Sequence, residues 1–182
     1  MAEFTNAVPA GDTRERAVCS TCGFIDYANP RVVVGAVVVG AGRILLCRRA
    51  IEPRRGFWTL PAGYLELGET NAEGARREAM EEAGADIILD GILGIYDVSR
   101  IGQVQIIYRA RLARPEIAAG EESLEVRMFD FAEIPWDELA FPTAAWALRH
   151  WQTVADTPIG APFGNPPEDQ RGIRPLPNGA AT

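Results

Sequence analysis

Residues 70–84 constrain the fold more than any other stretch of this chain. Thr70 with Glu73 three residues on forms a capping box, and Gly84 stands where a helix of about four turns would stop, so the spacing predicts a helix over 71–83. Ala72, Ala75, Ala79 and Ala83 make a stripe of small side chains on it, which lets the helix backbone lie close against a sheet. Glu78, Glu81 and Glu82 stand at i, i+3 and i+4 and share a neighbouring face. Like charges at such spacings destabilise a helix by roughly 0.2–0.5 kcal/mol per pair, and an interior glycine such as Gly74 costs about 1 kcal/mol more. Something must offset that. One reading is a solvated acidic face; the other is a cation site, since carboxylate oxygens are hard ligands suited to Mg²⁺ or Mn²⁺. The chain has a single histidine, so zinc at this helix is disfavoured.

The flanking sequence supplies the sheet. The valine-rich run over 32–39 reads as a strand buried on both faces, and Gly40, Ala41 and Gly42 turn it into a second strand over 43–49. A short aromatic strand is expected over 57–60, closed by Pro61, Ala62 and Gly63. Two β-branched runs, 87–97 and 103–112, flank a turn at 99–102, and 124–131 alternates as a further strand. Residues 136–139 and 143–154 read as helical, the second carrying Ala147, Leu148 and Trp151 on one face that covers the sheet. We therefore expect three parts: a flexible N-terminal segment over 1–30, one catalytic domain over 31–155, and a Pro/Gly-rich tail over 156–182 that is disordered or hugs the surface.

Charge and cysteine usage narrow the function. A formal net charge of −7, from 18 basic and 25 acidic residues, opposes nonspecific nucleic-acid binding. A phosphate-bearing ligand would then need a metal to mediate. The longest uncharged stretch, between Arg31 and Arg43, is too short and too β-branched for a membrane helix. Three cysteines argue against a disulfide framework and fit a reducing compartment, and the N-terminus lacks the pattern of a secretory signal, so the expected location is cytoplasmic.

Gly63, five residues, Glu69, seven residues, then Arg77, Glu78, Ala79, Met80, Glu81, Glu82, Ala83, Gly84 and Ala85 resemble the Nudix box, G-x5-E-x7-R-E-U-x-E-E-x-G-U. Ala79 and Ala85 stand where the family usually has a bulkier aliphatic residue, a departure that touches packing rather than chemistry. The resemblance implies the Nudix fold, an α/β/α arrangement with a mixed β-sheet sandwiched between helices. It also implies Mg²⁺- or Mn²⁺-dependent hydrolysis of the pyrophosphate bond of a nucleoside diphosphate linked to another moiety, releasing a mononucleotide. By the same carry-over Glu78, Glu81 and Glu82 bind the cations, Glu69 steadies the loop or reaches a metal through water, Arg77 orients a glutamate, and Gly63 lets the backbone approach a metal or phosphate. The base is expected to be Glu82 or Glu125, with Glu125 preferred to Glu122. Trp58, Tyr64 and Tyr96 are candidates for stacking on a base or flavin ring, though such residues more often belong to a core.

Over roughly 16–151 the similarity is nearest to the branch of FAD and ADP-ribose pyrophosphatases, carried by residues 19–30, 56–66, 101–103 and 122–125. The motif that marks NADH pyrophosphatases is absent, and Arg100 and Ile101 stand where many ADP-ribose hydrolases have a proline. FAD or a broad range is thus favoured. Cys19 and Cys22 resemble one knuckle of a zinc ribbon, but no upstream pair completes the four ligands that a structural zinc needs. We read a ribbon that has lost its metal, with a site completed by another chain as the alternative. A homodimer is implied by resemblance. Rival readings are a nucleotide sensor without turnover, a prenyl diphosphate isomerase, for which Cys47 has no supporting motif, and a nucleic-acid-binding ribbon, which the net charge opposes.

Overall fold

The structure, a computed structural model, describes residues 3–172. The chain divides into two compact units, Met1–Pro30 and Arg31–Thr182.

The first unit is a three-stranded antiparallel sheet of β1 (Phe4–Ala7), β2 (Arg16–Cys19) and β3 (Ile25–Asp26), in that order. This corrects the expectation of a flexible segment over 1–30. Asp12 holds the β1–β2 connection: its Oδ1 accepts from the Thr13 and Arg14 amides at 2.6 and 3.2 Å, and its Oδ2 pairs with Arg16 Nε at 2.9 Å. Polar turn chemistry of this kind orders backbone without an apolar period to announce it.

The second unit is a mixed sheet with a helix on each face. β4 (Arg31–Gly40) and β5 (Arg43–Arg49) form the expected hairpin; β6 (Trp58–Thr59) pairs with β5 and β7 (Ala62–Tyr64) with β4. Helix α1 (Asn71–Ala83) follows, then β8 (Ile87–Val98), β9 (Gln103–Leu112), β10 (Ser123–Phe129) and helix α2 (Pro142–Val154). The strand order is β10-β5-β4-β9-β8, with β4 and β9 parallel and the other neighbours antiparallel. The stretch 131–133 and the predicted helix at 136–139 are single 3₁₀ turns.

Alternation along β4 sorts the core into two layers. Val34, Ala36 and Val38 pack with Ala75, Ala79 and Ala83 of α1, whereas Val37 packs with Ala144, Ala147 and Leu148 of α2. Helix α1 is capped as its sequence foretells: the Thr70 hydroxyl accepts from the Glu73 amide, the Glu73 carboxylate accepts from the Thr70 amide, and Gly84 closes the helix at φ 57°. Gly35 on β4 has no room for a Cβ because Pro61 O and Ala62 lie against it, so β7 and the loop above it sit directly on the sheet. Of the tail expected over 156–182, residues 156–172 are described and carry a bridge from Phe163 to Gly94 of β8; the remainder lies outside the described residues.

Because Ala79 is fully buried under α1, Ala79→Leu should cost about 1–3 kcal/mol by overpacking. Urea unfolding measures this, and an unchanged midpoint would mean that the helix does not lie on the sheet as described.

Candidate active site

Gly63, the middle residue of β7, faces the middle of α1, where the helix presents its glutamates. Pairing of Val34 with Gly63 fixes this strand in the sheet. A Cβ on Gly63 would run into both carboxylate oxygens of Glu78, so a larger residue here would displace that carboxylate. The Glu82 carboxylate accepts a hydrogen bond from the Ala62 amide at 3.0 Å. Glu78 and Glu82 are both buried, at 8% and 6% exposure. That is unusual for carboxylates on a helix and costs free energy unless positive charge is near.

Arg77 supplies part of that charge. Its guanidinium grips Glu69 with two bonds, Nε at 3.1 Å and Nη2 at 2.7 Å, while Nη1 reaches Glu78 at 2.7 Å and Glu81 at 3.0 Å. Nη2 also donates to Tyr64 O at 3.0 Å. These bonds hold the Glu69 carboxyl down to about 2. Glu82 does not touch Arg77, and burial pushes its carboxyl up to about 7, with the Glu78 charge adding to the rise and the Ala62 amide and Arg49 opposing it. Burial likewise raises Glu78, against the pull of Arg77.

Gly63, Arg77, Glu78, Glu81 and Glu82 line a cleft of about 850 Å³, whereas Glu69 is not among its lining residues. Glu121 and Glu122 also line it, and the Glu122 charge is felt at both Glu78 and Glu82. Helix packing delivers them: Ala118 N donates to Ala83 O at 2.8 Å and Gly120 N to Glu82 O at 3.1 Å, satisfying carbonyls left open at the helix end. A Cβ on Gly120 would collide with Glu81 O. Glu125, preferred from sequence, is not among the lining residues; its carboxylate lies 3.7 Å from Arg48 on β5. The correction has a simple cause. The contact of Gly120 with α1 fixes the loop just before Glu122, and β10 then carries the chain away along β5.

Trp58 is also corrected as a ligand-stacking residue. It is 5% exposed and packs edge-on against Phe129 with centroids 4.9 Å apart. Tyr96 is fully buried, its hydroxyl 2.9 Å from His150 Nδ1. Tyr64 does face the cleft, at 46% exposure, with Arg31 over its ring at 5.1 Å and its hydroxyl accepting from Gln103 Nε2 at 3.0 Å. Sequence reasoning missed Arg49, which ends β5 at 9% exposure, lines the cleft, donates from Nε to Pro53 O at 2.8 Å and has no carboxylate within ion-pair distance among the described residues. An arginine ending a buried strand was the available signal. Gln105 and Trp146 also line the cleft.

No three His, Cys, Asp or Glu side chains among the described residues converge tightly enough to hold an ion alone. Magnesium, however, is commonly bound through one or two carboxylates, with waters and substrate phosphates completing its shell. Two desolvated, negatively coupled carboxylates beneath a glycine fit that mode. In the N-terminal unit, Cys19 and Cys22 are free thiols, and no third ligand stands with them among the described residues. Amides of Cys22 and Thr21 bond to Cys19 and lower its pKa, so a knuckle shape persists without a full ligand set.

Comparison with known proteins agrees with this geometry. A model of the NUDIX domain matches residues 29–152, and a zinc-ribbon model described as Nudix N-terminal matches residues 2–28. An ADP-ribose pyrophosphatase of Methanocaldococcus jannaschii is 34% identical over 119 residues, covering 63% of this chain and 69% of that protein. A MutT-like protein of Streptomyces ambofaciens is 40% identical over 79 residues, 43% of this chain and 49% of that one, so the chain spans about half of this relative. The crystal structure of a NUDIX hydrolase from Nitrosomonas europaea superposes with a TM-score of 0.83 at 38% identity, covering 90% of this chain and 96% of that one. With a domain match across most of its length and a fold shared nearly end to end with that hydrolase, the chain belongs to the Nudix hydrolase family.

Proposed function

We infer that this protein hydrolyses the pyrophosphate bond of a nucleoside diphosphate linked to another moiety, such as FAD, ADP-ribose or a related dinucleotide, with Mg²⁺ or Mn²⁺, and releases a mononucleotide. The observation that carries the reading is the pair of buried carboxylates, Glu78 and Glu82, under Gly63 in a cleft of about 850 Å³. A volume of that size suits a two-part nucleotide. The similarity to an archaeal protein named ADP-ribose pyrophosphatase supports that compound. A homodimer and a cytoplasmic location belong to the same reading.

Each side chain then has a task. A divalent cation held by one or two of Glu78, Glu81 and Glu82, with water and substrate phosphate completing its shell, would offset the diphosphate charge and make water acidic enough to attack phosphorus. Arg77 is committed to three carboxylates and the Tyr64 carbonyl, so it positions ligands rather than touching substrate. Glu69 ties the loop to that arginine. Glu82, whose carboxyl lies near 7, and Glu122, at the same cleft, are the candidates to accept a proton from water. Arg49 has charge available for a phosphate oxygen, and Tyr64, braced by Arg31 and Gln103, offers a ring face to a base.

The deciding assay follows mononucleotide release from FAD, ADP-ribose, NADH and CoA with Mg²⁺ or Mn²⁺. Glu82→Gln should lower kcat/KM at least about 100-fold, Glu122→Gln at least about tenfold, and Glu125→Gln less than about twofold. Full activity in Glu82→Gln removes the mechanism, and binding of ADP-ribose with no turnover of any compound replaces it with a nucleotide sensor.

A stability measurement tests the buried charge independently. Folding raises the Glu82 carboxyl from 4.5 to about 7, so between those values the native state binds more protons than the unfolded one. Metal-free stability therefore falls as pH rises through that window and stays lower above it. In EDTA at pH 8, Glu82→Gln should exceed wild type by at most about 3 kcal/mol, and at pH 4.5 the gap should nearly vanish. Mg²⁺ should narrow the gap at pH 8 by stabilising wild type alone. Equal urea midpoints for the two proteins in EDTA at both pH values would show that the carboxylate is hydrated.

A further inference from the structure

The segment after α2 lies beyond the NUDIX match, which ends at 152, and the function inferred above makes no use of it. It is nevertheless bonded to the sheet. Ile95 N donates to Phe163 O at 2.8 Å and Phe163 N to Leu93 O at 2.9 Å. Since β8 is the edge of the sheet, the segment covers backbone groups that an edge would leave open. The Phe163 ring stacks on His150 of α2 at 4.4 Å, which anchors the segment from a second side.

Its last described residues converge on one place. The Asn165 amide acts as a substitute peptide: Oδ1 accepts from Asp97 N at 2.8 Å, and Nδ2 donates to Asp97 O at 2.8 Å and to Asp169 O at 3.1 Å. Ser99 donates to Arg171 O twice, from N at 3.0 Å and from Oγ at 2.8 Å. Gly172, at φ 59°, lies so close to the Asp97 carbonyl that a Cβ there would collide with it. These contacts fix residues 97–99, directly before the turn whose Arg100 and Ile101 line the cleft together with Val98 and Gly172 itself. None of these bonds reaches Glu78, Glu82 or Glu122, which are held by β7, α1 and the loop before β10.

We propose that residues 163–172 are a substrate-positioning arm: by fixing residues 97–99 they set the cleft wall of Val98, Arg100 and Ile101, and so determine affinity for the part of the nucleotide that extends beyond the diphosphate. The identity of that ligand rests on the hydrolase reading; the mechanical role of the arm does not. Two elements of different sequence origin thus divide the labour. The glutamate helix would hold the cation that meets the reacting phosphates, and the arm shapes the wall that meets the rest of the ligand.

The test uses the full chain with Asn165→Ala and, separately, Ser99→Ala, which removes the Oγ bond to Arg171 O. Hydrogen exchange of the amides of residues 97–102 should quicken, KM for ADP-ribose should rise about tenfold, and kcat should stay within about twofold. Unchanged exchange and KM in folded variants overturn the arm's role, and so does a fall in kcat that tracks a lowered melting temperature. If wild type turns over none of the compounds, the hydrolase reading fails by itself. The arm is then judged by the Kd of ADP-ribose, which must rise about tenfold in the variants; an equal Kd, or no binding by either protein, overturns it.

Discussion

One guanidinium organises the site. Arg77 forks onto Glu69 with two bonds and reaches Glu78, Glu81 and the Tyr64 carbonyl with the rest of its donors. It thereby joins the loop before α1 to the helix itself. A lysine ammonium could not span these acceptors, because their arrangement matches the planar fork of arginine. The same bonds neutralise part of a carboxylate cluster that would otherwise repel itself apart. Glu82 is left outside the network, and its protonation follows from burial instead.

Burial of that kind depends on close backbone approach. Fully buried Ala75, Ala79 and Ala83 let α1 settle on β4. Gly35 admits β7, Gly63 admits the Glu78 carboxylate, and Gly120 admits the loop that carries Glu122. Larger side chains at these points would lift the helix or the loops, and water would reach the glutamates. The small residues and the raised carboxyl of Glu82 are therefore one feature seen at two levels, packing and electrostatics.

The cleft joins a floor that is local in sequence to walls that are not. Residues 62–82 make the floor. The walls come from the ends of β5 and β9, the β8–β9 turn, the N-terminus of α2 and the arm that ends at Gly172. A floor made of one contiguous stretch keeps its chemistry while distant walls vary, which is how one fold can serve many substrates.

How much could be read without coordinates followed from the range of the interactions. The bounds of α1, its capping box, the hairpin of β4 and β5, and the shared face of the glutamates are set by contacts within a few residues, so the sequence by itself determined them. That Glu122 lines the cleft and Glu125 does not follows from Gly120 meeting the carbonyl of Glu81, a contact across 39 positions that no periodicity announces. Whether Trp58 and Tyr64 stack on ligand or core depended on what covers each ring, and a strand pattern does not record that. The N-terminal sheet and the arm along β8 are both built from polar turns, prolines and side chains standing in for backbone, which read as irregular sequence. Only the tertiary structure decided them, because hydrogen bonds between segments far apart in the chain leave no local signature.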